Sequence, residues 1–200
     1  MPAFWDGDLV RDGCPPPEAW PAEAAIAWSG SLAAGPGRFV PEPRNWMGPG
    51  RAALESACDR LVDGLARSRR TLLLRPHARQ VLSDLTGAVD FLRRHRGERF
   101  GLAFAPADLF VASMLNDAAE HLGRGFAVLL PLLRPDRDVL ILEDLEPPDR
   151  EEDLPRKVPL GTGILPWQTV ASAVGSLGSA WRVVLPGEAD SSRFGEIFPA

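Results

Sequence analysis

The 200-residue chain carries 22 basic and 27 acidic side chains, a net charge of −5 at pH 7, with 45% hydrophobic and 24% charged residues. Such a length suits one domain with a sizeable core. The balance excludes wholesale disorder, and the absence of a Lys/Arg stripe alternating with aromatics excludes a nucleic-acid groove.

The N-terminus "MPAFWDGDLVRDG" has no basic segment followed by an apolar core. No stretch approaches the ~18 apolar residues of a membrane span, so a cytoplasmic protein without a membrane partner is expected. Cys14 and Cys58 are far apart and belong to no Cys-x-x-Cys pair, so two free thiols are expected. Residues 1–50 hold "GCPPPEAWP", "AAGPGRFVPEP" and "NWMGPG", in which prolines remove backbone donors and rule out long helices. Within them "AAIAWSG", residues 24–30, is a short apolar run expected to be a buried strand. From Gly50, "RAALESACDRLVDGLARS" repeats apolar residues at helical spacing with charges opposite, and a helix follows.

One cadence then recurs. "RRTLLLRPH" is an apolar run ended by Pro76, "VLSDLTGAVDFLRRH" an amphipathic helix, and "RFGLAFAPADL" a second run ended by Pro106. "VASMLNDAAEHLG" reads as helix, "DVLILEDLEPPD" as strand and loop, "WQTVASAVGSLG" as helix and "AWRVVLPGE" as strand. Five strands alternating with four helices predict βα units around a parallel sheet. The strands are nearly continuous apolar runs, as a sheet covered on both faces requires.

Residues 159–174, "PLGTGILPWQTVASAV", place two glycines ahead of a helix. A P-loop needs a lysine to meet the phosphates, and "GTGILPW" has none. A dinucleotide fingerprint needs a third glycine where Pro166 stands. What is left is a tight backbone path into a helix whose first turn begins near Pro166.

The run "VLILEDLEPPDREEDLPRKVPLGTGILPWQTVASAVGSLGSAWRVVLPGE" resembles the last two βα units of the sugar phosphate isomerase/epimerase family, the xylose-isomerase-like TIM barrels. There a strand ending in His-x-x-Asp leads through a polar loop to Leu-Gly-x-Gly, an apolar residue, a Trp and the penultimate helix. "TLLLRPH" and "GLAFAPADL" fall where the family has its Leu-x-Leu-Glu and Asp-Pro-x-His strand ends. The resemblance covers residues 22–190, about five of the eight strands of a barrel. It implies an α/β fold, a partial or truncated TIM-barrel-like βα repeat with helices outside. A proline-rich segment, residues 1–21, precedes it and a tail, 191–200, follows.

The same resemblance implies a divalent metal held by Glu, Asp and His at the C-terminal strand ends. At those positions this chain has Arg75, Ala105 and Asp108, and Ile141, three before Asp144; the last Glu lands near Leu185, with Glu188 beyond. No cofactor is therefore expected, and the chain reads as a pseudoenzyme. Arg75 stays protonated, and strand alternation turns Glu143 to the same side, so an Arg75–Glu143 ion pair, joined by Asp108 or Glu188, is expected in place of the metal. Such a pair either fills a cavity or binds a small polar or anionic, sugar-like ligand.

The alternative is a working, metal-dependent isomerase or epimerase using His77, Asp108, Glu143, Asp144 and Glu188 in a rearranged site. His77 follows the strand and suits acid or base work or a solvent-facing loop. Arg44, Asn45 and Trp46 offer either ligand contacts or, for Trp46, packing beneath the loop. His95 and His121 close helices and are expected at the surface. Five strands cannot close a barrel, so the sheet edges are expected to be covered by the proline-rich front, to pair with those of a second copy of the chain, or to stay open in a truncated, curved half-barrel.

Overall fold

The computed structural model describes residues 2–35, 37–175 and 181–185. The chain divides into two compact units, residues 1–103 and 104–200.

Every apolar run read as a strand is one. In the first unit β1 (Ala3–Asp8), β2 (Ala24–Trp28), β3 (Thr71–Arg75) and β4 (Phe100–Phe104) pair in that order, all parallel. Leu72, Leu73 and Leu74 of β3 are wholly buried, as continuous apolar strands between two covering layers must be. β1 was not legible: "AFWDGD" mixes aromatics with Gly and Asp, and its register with β2 shifts between Phe4 and Asp8. The proline-rich front thus contributes a strand to the sheet.

The helix α1 (Gly48–Ser68) buries Leu54, Ala57, Cys58, Leu61 and Leu65 on one face. It ends at Arg69, whose left-handed φ of 57° closes the turn. The helix α2 spans Leu85–Arg94 and is shorter than its apolar pattern, because Asp84 accepts a hydrogen bond from the Gly87 N–H and caps it. His95, expected at the surface, is buried. Its Nδ1 lies 2.5 Å from Glu98, and its ring meets Phe91 tilted and Phe100 edge-on.

In the second unit, β5 (Val139–Ile141) pairs parallel with β8 (Arg182–Val184). Between them lies an antiparallel hairpin absent from the sequence reading, β6 (Asp144–Glu146) with β7 (Arg156–Val158). The helices α3 (Ala118–Leu129) and α4 (Trp167–Gly175) complete this unit's described elements, and "VASMLND" is 3-10 rather than α. Parallel strands joined through helices make the α/β class plain. Among the described residues no helix is long and apolar enough to cross a membrane, and both cysteines are free thiols.

Candidate functional site

In the first unit, candidate residues gather where β2 and β3 end. Trp28 and Arg75 are register partners, so parallel pairing brings their side chains to one face. The Arg75 guanidinium lies over the Trp28 ring, 4.7 Å from its centroid, and that of Arg38 lies 5.8 Å away. Arg75 is buried.

His77, two residues on, is buried rather than solvent-facing. Its ring stacks on Phe39 at 3.8 Å with a 16° interplanar angle and meets Trp28 edge-on at 5.7 Å. The Arg79 N–H donates to Nδ1 at 3.1 Å, which puts the proton of a neutral ring on Nε2. The result is a largely buried cationic and aromatic cluster of Trp28, Arg38, Phe39, Arg75 and His77.

Polar residues lock the loops beneath it. The Gln80 Oε1 accepts from Ser29 Oγ and from the Gly30 N–H, both at 3.2 Å. Asn45, expected to touch a ligand, is buried. Its amide accepts from Leu32 N–H and donates to Ser31 Oγ and the Arg79 carbonyl. Trp46 does not pack beneath the loop; half of its surface is exposed. Asp8, unnoticed in the sequence, is wholly buried at the end of β1, where its Oδ1 accepts from the Arg11 and Ser31 N–H groups. Burial pushes its carboxyl above the ordinary value, and those two bonds pull part of the way back.

The second unit holds the carboxylates. Asp108 sits in a 3-10 turn, Pro106–Leu109, with its side chain buried. The Nζ of Lys157 lies 2.6 Å from Asp108 Oδ1 and 2.7 Å from Glu143 Oε2. Two predicted residues are thus brought together, by a third that the sequence reading passed over. Lys157 belongs to β7, opposite Leu145 of β6. A signal was present: it is the only lysine among the 22 basic residues.

Asp144 has a different place. It is wholly buried, its Oδ1 accepting from the Leu145 and Leu165 N–H groups at 2.8 and 3.1 Å. Its Oδ2 accepts from the Gly163 N–H and the Trp167 indole N–H, both at 2.8 Å. Four donors occupy this carboxylate, so it winds the Gly-Thr-Gly loop around itself. Such a group holds backbone and has no lone pair directed at a substrate. Glu188 lies outside the described residues.

No protein-family model matches the chain, and no curated protein matches it in sequence. Solved structures do match. A xylose isomerase domain protein from Planctomyces limnophilus superposes at a TM-score of 0.60 with 16% identity, covering 88% of this chain and 56% of its own. The probable 3-DHS dehydratase AsbF of Bacillus anthracis gives 0.58 at 11% identity over 88% and 62%. The IOLI protein, described with a bound zinc atom, gives 0.56 at 13% identity over 87% and 62%.

The chain has the fold of a partial xylose-isomerase-like TIM barrel. It spans about three fifths of the length of the structures it matches. Identities this low carry the fold and nothing finer.

The metal of the resembled family does not fit the described residues. No group of three or more His, Cys, Asp or Glu among them could hold an ion. A hard divalent cation needs several converging oxygens or imidazoles. Here an ammonium stands between the two carboxylates that do converge.

Proposed function

We propose that the chain is a non-catalytic relative of the sugar phosphate isomerases and epimerases that binds a small polar or anionic ligand at strand C-terminal ends. One observation carries this. At the end of β3, where the resembled family places a metal-binding carboxylate, Arg75 lies buried against Trp28. A fixed guanidinium, an indole and the His77–Phe39 stack suit hydroxyl, carboxylate or phosphate groups, and the guanidinium repels a metal ion.

Two measurements test it. Dialysed protein should contain far less than one equivalent of manganese, zinc or magnesium. A melting screen of sugars, sugar phosphates and hydroxy acids should find a stabilising compound. At 100-fold its Kd such a ligand contributes about 2.7 kcal/mol, or roughly 5–11 °C. Arg75→Met should abolish that shift. An unchanged shift in the variant would remove Arg75 from ligand binding.

The second reading, an active metal-dependent isomerase or epimerase with a rearranged site, is favoured by the convergence of Asp108 and Glu143 on one point. Near-stoichiometric metal in dialysed protein would select it.

A further inference from the structure

Lys157 is chemically singular in this chain. Every other basic side chain is an arginine, a planar fork suited to bidentate pairing; an ammonium is a compact point charge. It is also placed singularly. Its Nζ is within 2.7 Å of oxygens from two carboxylates that lie 35 residues apart in sequence, Asp108 and Glu143. The Asp108 side chain has no exposed surface and that of Glu143 has little, whereas the Lys157 side chain is 40% exposed. The charge therefore enters from solvent to neutralise a pair held inside the fold.

Two carboxylates converging this closely repel one another, and a cation between them offsets that repulsion. Their oxygens can be no farther apart than the sum of two short contacts. A divalent ion bridging them is the usual solution, with carboxylate oxygens as its preferred ligands. The hairpin of β6 and β7 supplies an amine instead, pinned at Leu145 and Lys157 by strand pairing.

We propose that Lys157 is a tethered cation that takes the place of a divalent metal ion between Asp108 and Glu143. The proposal rests on the metal-free reading above. It says why that reading holds: the two-carboxylate point is already occupied by a charge that cannot dissociate.

The test is melting with and without millimolar MnCl2. Wild type and Lys157→Arg, which keeps the charge, should melt at the same temperature in both buffers. Lys157→Met and Lys157→Gln should melt lower in the absence of metal and recover saturably with Mn²⁺. Adding Glu143→Gln to Lys157→Met should erase the recovery. Folded neutral variants that ignore Mn²⁺ would overturn the proposal, as would a Mn²⁺ shift in the wild type. Should neither neutral variant fold alone, refolding in Mn²⁺ is expected to restore the native spectrum, and its failure would count equally against the idea. Stoichiometric metal in dialysed wild type defeats the metal-free reading itself. Metal-free wild type with Mn²⁺-indifferent variants defeats only the tethered cation.

Discussion

The indole N–H of Trp167 donates to Asp144 Oδ2 at 2.8 Å, tying the first residue of α4 to the first residue of β6. Three backbone N–H groups share the same carboxylate. Together they turn a glycine loop into a fixed bridge between hairpin and helix.

Removing that hub should be costly. Asp144→Ala leaves four donors without their acceptor, and a buried hydrogen-bonded charge lost from its network destabilises by at least ~3 kcal/mol. The melting temperature should fall by roughly 6–12 °C. Urea unfolding followed by circular dichroism measures it, and a loss below ~1 kcal/mol would mean the loop does not depend on Asp144.

Gly163 is required by space. A Cβ there would sit 2.2 Å from the Leu145 carbonyl oxygen and 2.4 Å from Asp144 Oδ1, and the carbonyl cannot rotate away. Gly163→Ala should destabilise by ~1–3 kcal/mol, the range of overpacking. In a double-mutant cycle it should couple with Asp144→Ala, because the first change already spoils the hub. Strict additivity in that cycle would separate the two residues.

Asp8 should make stability fall as pH rises. Its folded-state carboxyl is raised, chiefly by desolvation, above the ordinary value of 3.8. The unfolded chain therefore releases this proton at lower pH than the native one. The stability it contributes is complete below the ordinary carboxylate value and is lost as pH climbs through the raised one. Asp8→Asn keeps an acceptor for the Arg11 and Ser31 N–H groups and removes the titration. Urea unfolding from pH 3.5 to pH 8, about the span over which carboxyl groups titrate, should show the variant gaining on wild type as pH rises. Parallel curves would be the contrary result.

The two thiols should be inert in the native state. Burial pushes the Cys14 thiol up to about 11 and raises that of Cys58 further, so neither offers thiolate at neutral pH. An Ellman titration of native protein should proceed slowly, with both thiols reacting at once in denaturant. Rapid labelling of Cys58 in the native protein would contradict its burial on the inner face of α1.

Composition and local period determined much on their own. "AAIAW", "TLLLR" and "GLAFA" read as strands of a covered sheet because they are short unbroken apolar runs close to proline or glycine, and they are strands. The α1 pattern likewise fixed its buried face. The βα cadence, with "LGTGILPW", pointed to the xylose-isomerase-like fold that the superpositions show. Arg75 was legible as the charged residue that ends an apolar strand.

Tertiary structure alone decided the partners. That β1 joins the sheet depends on β2 offering an edge, which "AFWDGD" does not encode locally. That Asn45 serves the loops, and Asp144 the glycine turn, follows from donors distant in sequence. Lys157 meets Asp108 and Glu143 only because an antiparallel hairpin, invisible to periodicity in three-residue strands, carries it there. Short elements hold too few residues for a period to register, and long-range electrostatic pairs form only after the chain has closed the loops between them.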